Sequence, residues 1–130
     1  MIILTMRTDK PEAEIGLYED EKELGYQLWQ AHRQLAETLH SKIANLLQKH
    51  SKDWSDIQAI VVFEGPGSFT GLRIGFSVAN ALAYSLQVPV VGASGDNWRT
   101  TGFNILASTR TSSYAKPQYG QPARTTTPKK

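Results

Sequence analysis

The chain has 130 residues, 40% of them hydrophobic and 20% charged, a composition typical of a single small globular domain. It contains no cysteine, which excludes a disulfide scaffold, a thiolate metal site and a cysteine nucleophile. The net charge of +2 is unevenly distributed, because residues 107–130 carry five basic residues and no acidic one. No basic leader precedes Ile2, and no later apolar run is long enough to cross a bilayer, so we expect a cytoplasmic protein without membrane contact.

The first third of the chain is predicted to form three short strands. Residues 2–8 are mainly apolar, and apolar side chains then alternate with polar or small ones in residues 13–17 and 24–28. Such alternation is typical of strands with one buried face. Because only short polar turns separate the three runs, we expect an antiparallel meander.

The rest of the chain alternates helical and strand patterns. Residues 35–47 have apolar side chains at helical spacing and predict an amphipathic helix. Residues 57–63 and 88–92 are short apolar runs typical of strands that are buried on both faces. Residues 94–107 are predicted to add a short helix. Residues 108–130, rich in Thr, Ser, Pro and Lys, predict a disordered basic tail.

A second helix is predicted to end near Leu86, and its apolar surface is unusually wide. Its polar side chains form one narrow stripe, and the rest of the surface, an arc of roughly 220°, is apolar or small. A helix on one sheet needs about half that width, so the excess predicts contact with another helix, in this chain or in a partner. We assign the side with Gly75, Ala79 and Ala83 to that contact, since small residues permit close approach.

Between the buried strand and this helix lies a glycine-rich turn, residues 65–71. Free N–H groups at a helix N-terminus suit an anion, which is one interpretation of the turn. However, the spacing matches neither the phosphate-binding loop nor the dinucleotide fingerprint, and no lysine reaches over it. The other interpretation, which we favour, is a tight joint in which the glycines serve backbone geometry.

The eleven residues from Gly65 to Gly75, GPGSFTGLRIG, resemble the signature of the TsaB (YeaZ) family. Members of that family are partner subunits in the bacterial machinery that forms threonylcarbamoyladenosine in tRNA. Supporting similarities are His32, Asp56-Ile57 and the segment 89–92. The resemblance covers roughly residues 1–95, and we expect most of the family's C-terminal domain to be absent.

The resemblance implies an α/β fold, the ribonuclease H-like, actin-like ATPase half-domain. Its five-stranded mixed sheet has the element order βββαβαβ and the strand order 3-2-1-4-5. Given that order, right-handed crossovers place both helices on one face of the sheet. We expect residues 1–107 to form this domain and residues 108–130 the tail.

The resemblance further implies a non-catalytic subunit that binds a TsaD-like threonylcarbamoyltransferase, without a cofactor or metal of its own. A TsaE-like ATPase belongs to the larger complex, a homodimer through the same helices is possible, and tRNA contact is indirect or through the tail. The expected motif turn consists of Gly65, Pro66, Gly67, Ser68, Phe69, Thr70, Gly71 and Arg73. The expected partner interface consists of His32, Leu35, Leu39, Leu72, Gly75, Phe76, Ala79 and Ala83.

Three other functions stay open. An actin-type ATPase or phosphotransferase would use the turn from Gly65 to Gly71, but Arg7 stands where the family has an acid, and the paired histidines of TsaD-like enzymes are absent. A hydrolase with Ser68 as nucleophile lacks an evident base. The third possibility is a truncated, decayed paralogue.

Overall fold

A computed structural model describes residues 1–31 and 34–109. The strands are β1 (Ile2–Arg7), β2 (Glu12–Glu19), β3 (Lys22–Gln30), β4 (Ala59–Phe63) and β5 (Val90–Ala93). The helices are α1 (Leu35–Lys49), α2 (Phe69–Leu86) and α3 (Trp98–Thr109), and a 3-10 turn, Trp54–Asp56, precedes β4. The predicted element order is confirmed, and α3 continues to Thr109, past the expected domain boundary. The predictions for His32 and for residues 110–130 fall outside the described residues.

The five strands form one sheet in the order β3-β2-β1-β4-β5. β1 pairs with β2, and β2 with β3, in antiparallel fashion, whereas β4 lies parallel to both β1 and β5. The expected mixed sheet and its strand order are therefore confirmed. In β3, Leu24 has no partner residue, because the register shifts between Leu17, opposite Gly25, and Tyr18, opposite Glu23. This bulge was not predicted.

Helices cover both faces of the sheet. α1 and α2 pack on one face and share a single core cluster with apolar side chains of the strands, as the handedness of the crossovers predicted. On the other face, Trp98 and Phe103 of α3 enter a second cluster, where their rings lie 5.7 Å from Phe63 and 5.2 Å from Tyr18 between centroids. Within the described residues, no helix is long and apolar enough to cross a membrane.

The orientation of α2 differs from the expected one. Ala79 and Ala83 are 0% exposed and lie in the core between the helices and the sheet. A methyl group on Gly75 would collide with Oγ1 of Thr8, directly after β1. The assignment of this side to a helix partner is therefore wrong: its small residues allow α2 to lie close to the strands. The adjoining side, with Ile74 and Val78, is only half-buried.

The glycine at position 75 gives a test of this packing. In an exposed helix, Gly75→Ala would stabilise by about 1 kcal/mol. Here the added methyl group meets a buried, hydrogen-bonded threonine, so we expect destabilisation by about 1–3 kcal/mol in chemical unfolding. Ser77→Ala, an exposed position on the same helix, is the control and should change stability by less than about 0.5 kcal/mol. An increase in stability for Gly75→Ala would contradict the close approach of α2 to Thr8.

Candidate functional site at the glycine turn

The turn between β4 and α2 has a backbone that its sequence requires. Gly65 has φ of +112°, a conformation that side chains disfavour, and a cis peptide bond joins it to Pro66. Ser68 is the N-cap of α2, and its Oγ accepts a hydrogen bond from the Gly71 N–H at 3.3 Å. The predicted strand, turn and helix N-terminus are thus all present.

This turn lies directly against the segment that follows β1. The Ser68 N–H donates to the Asp9 carbonyl at 3.0 Å, and Oγ1 of Thr8 donates to the Gly71 carbonyl at 2.7 Å. A methyl group on Gly67 would collide with Asp9, and one on Gly71 with the Thr8 carbonyl. The glycines therefore serve close backbone approach. Two N–H groups at this end of α2 already have protein acceptors, which favours a structural joint over an anion site.

Arg7, at the end of β1, occupies the position where the family that the sequence resembles has an acid. Its Nε lies 2.8 Å from Asp9 Oδ1, and its guanidinium lies 3.9 Å from the centroid of the Phe63 ring. The hydrogen bond to Asp9 is the main cause that raises the pKa of Arg7. The nearby carboxylate is thus neutralised within the protein. In residues 1–31 and 34–109, no group of three His, Cys, Asp or Glu residues is placed to hold a metal ion.

A groove of about 370 Å³ opens between α1 and α2 beside the turn. Phe69, the first residue of α2, is 72% exposed at its rim, and the guanidinium of Arg73 lies 5.3 Å from the Phe69 ring centroid. The groove is lined by Ala36, Phe69, Thr70, Arg73, Ile74, Ser77 and Val78.

The predicted interface residues divide into two groups in the structure. Five of them are buried in the core: Leu35, Leu39, Gly75, Ala79 and Ala83. Leu72 and Phe76 are half-buried. The sequence analysis missed Ala36, Ile74, Ser77 and Val78 as groove residues. The signal for Ile74 and Val78 was their place on the adjoining side of the helical wheel.

A polar cluster on the opposite face of the sheet also escaped prediction. Nη2 of Arg99 on α3 lies 2.7 Å from Oε2 of Glu14, and the Tyr26 hydroxyl donates to Oε1 of the same carboxylate at 2.6 Å. Burial, followed by the bond to Glu14, raises the pKa of Tyr26 to about 12. Glu14 and Arg99 are 85 positions apart, so nothing local in the sequence indicates their pairing.

The fold and the turn define this chain as a ribonuclease H-like half-domain. At the end of its β1 strand, the carboxylate of Asp9 is neutralised by Arg7. Residues 29–95 match the family model described as TsaD, tRNA N6-adenosine threonylcarbamoyltransferase, and the chain belongs to that family. Its curated and structural relatives identify it, within that family, as a TsaB (YeaZ) member.

The similarities to individual proteins are partial. TsaB of Escherichia coli is 35% identical over 69 residues, which cover 49% of this chain and 30% of that protein. TsaB of Bacillus subtilis is 51% identical over 39 residues, which cover 30% of this chain and 17% of that protein. The structure of YeaZ from Pseudomonas aeruginosa has a TM-score of 0.66 at 30% identity and covers 72% of this chain and 43% of that one. The chain thus spans less than half the length of these relatives. Thermus thermophilus RuvC, at 13% identity and a TM-score of 0.53, shares the fold alone.

We expect the purified protein to show no measurable binding of Mg-ATP in calorimetric titration, and no hydrolysis. The physical reason is that Arg7 holds Asp9 in an ion pair, and the turn's N–H groups at Ser68 and Gly71 are already bonded. Affinity in the low micromolar range would contradict this expectation and revive the phosphate-binding interpretation of the turn.

The pKa of Tyr26, raised by burial and by the bond to Glu14, predicts a pH dependence of stability. The pKa of Tyr26 in the folded protein, about 12, exceeds the value of about 10 expected in the unfolded chain. Its contribution to stability is therefore complete below about pH 10 and is lost as the pH rises through 12. The difference in melting temperature between the wild type and Tyr26→Phe should shrink across that interval. A difference that stays constant would show that the phenol proton does not stabilise the fold.

Proposed function

We propose that this chain is a non-catalytic subunit that binds a TsaD-like threonylcarbamoyltransferase and supports the formation of threonylcarbamoyladenosine in tRNA. The names of its relatives support this role: the E. coli relative is a tRNA threonylcarbamoyladenosine biosynthesis protein. A protein of Geotalea daltonii, 42% identical over 64 residues, is named tRNA N6-adenosine threonylcarbamoyltransferase. The observation that carries the proposal is the exposure of Phe69 beside the groove between α1 and α2.

The chemistry of this groove suits a protein partner better than a small polar substrate. Large aromatic side chains that are mostly exposed in the free protein are typical anchors of protein interfaces. Phe69 stands at the rim, Ile74 and Val78 give an apolar lining, and Arg73 adds a cation. Two helices side by side on a sheet also offer a surface that a second helix pair can complete as a bundle. The partner surface is therefore the groove, and the buried interface residues act by holding α1 and α2 in place.

The residues at the end of β1 favour a non-catalytic role for the chain over a catalytic one. An actin-type ATPase or phosphotransferase needs free carboxylates for a metal ion, whereas Asp9 is paired with Arg7. A decayed paralogue is not favoured either, because the core clusters on both faces of the sheet are filled. The wider assembly includes a TsaE-like ATPase, works in the cytoplasm, and contacts tRNA indirectly or through residues 108–130. A second copy of the chain on the same helices would compete with the catalytic subunit.

Truncation of the aromatic anchor tests the proposal. The chain is co-expressed with the TsaD-like protein of the same organism, and affinity is measured by titration calorimetry after separation. Removing a central anchor commonly costs 2 kcal/mol or more, so Phe69→Ala should weaken binding by roughly 30-fold. Because Phe69 is exposed, the melting temperature of the Phe69→Ala variant should hardly differ from that of the wild type.

Leu28→Ala is the matched control, since it truncates another exposed apolar side chain, on the opposite face of the sheet. It should leave the affinity for the TsaD-like protein unchanged. Failure of the two proteins to co-elute would refute the proposed function. Equal losses in both variants would show that the groove is not the contact surface.

A further inference from the structure

Strand β3 forms an open edge of the sheet that is poorly protected against pairing with another strand. It has nine residues, whereas β5, at the other edge, has four and lies under α3. Soluble proteins commonly protect an edge with charges, proline or a bulge. Here the charges and the bulge lie at the start, at Lys22, Glu23 and Leu24, and residues 25–30 have neither charge nor proline.

The side chains along this edge add an apolar surface. Tyr26 is 38% exposed and Leu28 44% exposed, and they are two of the four large hydrophobic side chains that are exposed in the described part of the chain. Both lie on the same side of the strand, opposite Gly16 and Glu14 of β2. The edge therefore combines unpaired backbone groups with the exposed Leu28 and with the exposed part of the Tyr26 ring, whose hydroxyl is bonded to Glu14 and Arg99.

We propose that β3 pairs with β3 of a second copy, in antiparallel orientation, about a two-fold axis at Gln27. This register is self-complementary: Tyr26 faces Leu28 of the other copy, Gly25 faces Trp29, and Gln27 faces itself. Apolar and aromatic cross-strand pairs stabilise a sheet, and no like charges are brought opposite each other between residues 25 and 29. The absence of charge along this stretch favours an identical partner over an acidic or basic one.

The size of the contact sets its strength. A stable interface commonly buries about 1,200–2,000 Å². A pairing of residues 25–29 of each copy, with two exposed side chains each, falls short of that, so the dimer should dissociate in the micromolar range. The two-fold axis runs perpendicular to the joined sheet, so α1 and α2 of both copies lie on the same face. Both helix grooves stay open, and the dimer would present two partner surfaces.

Charged substitutions at Gln27, the residue on the two-fold axis, test the proposal. The dissociation constant of the dimer is measured on the full chain by sedimentation equilibrium. Gln27→Lys and Gln27→Glu each place two like charges opposite each other and should weaken the dimer by about tenfold or more. An equimolar mixture of the two variants brings opposite charges together and should restore association. Gln87→Lys, an exposed position after α2, makes the same change near the other edge and should leave the dimer intact.

Circular dichroism and melting temperature show whether each variant folds, and if one does not, the dissociation of the other folded variant still tests the axis. A wild-type chain that stays monomeric at high micromolar concentration would overturn the proposal. Dimerisation that survives both Gln27 variants, or that Gln87→Lys abolishes, would also overturn it. Binding of the TsaD-like protein by Gln27→Lys should equal that of the wild type, so this test is independent of the proposed function.

Discussion

The contact between Thr8 and the first turns of α2 fixes the arrangement of the rest of the molecule. Thr8 is 1% exposed, and its hydroxyl donates to the Gly71 carbonyl at 2.7 Å. The absence of side chains at Gly71 and Gly75 leaves the space that Thr8 fills. Because β1 is the central strand, this contact places α2 over the middle of the sheet. It also determines which side of the helix is turned away from the strands.

A helix that approaches a sheet through glycine and alanine buries little apolar area per residue. Apolar burial stabilises by roughly 25 cal/mol per Å², so Gly75 and Ala79 contribute less than larger side chains would. The larger residues of α2, such as Ile74 and Val78, are placed on the side toward α1 and remain half-buried. Close packing on one side thus leaves unsatisfied apolar surface on the other, and this surface forms the groove.

Much of the fold followed from local pattern combined with the family resemblance, but the direction of side chains did not. The strand order came from the resemblance, and the common face of α1 and α2 came from crossover handedness. A helical wheel gives the angles between residues without showing where the sheet lies, which is why the side with Gly75 and Ala79 was assigned wrongly. The pairing of Glu14 with Arg99 joins distant segments and depends on the placement of α3, which periodicity does not determine.

The substitution at the end of β1 connects the fold to the way the protein acts. The family resemblance identified Arg7 as a departure from an acidic position, but only the structure shows what the cation does. It neutralises Asp9, lies over Phe63 and so becomes part of the packing on the α3 face. A strand end that is neutralised and packed in this way offers a metal ion no free carboxylate from Asp9. What remains available for function is the surface, above all the groove beside Phe69.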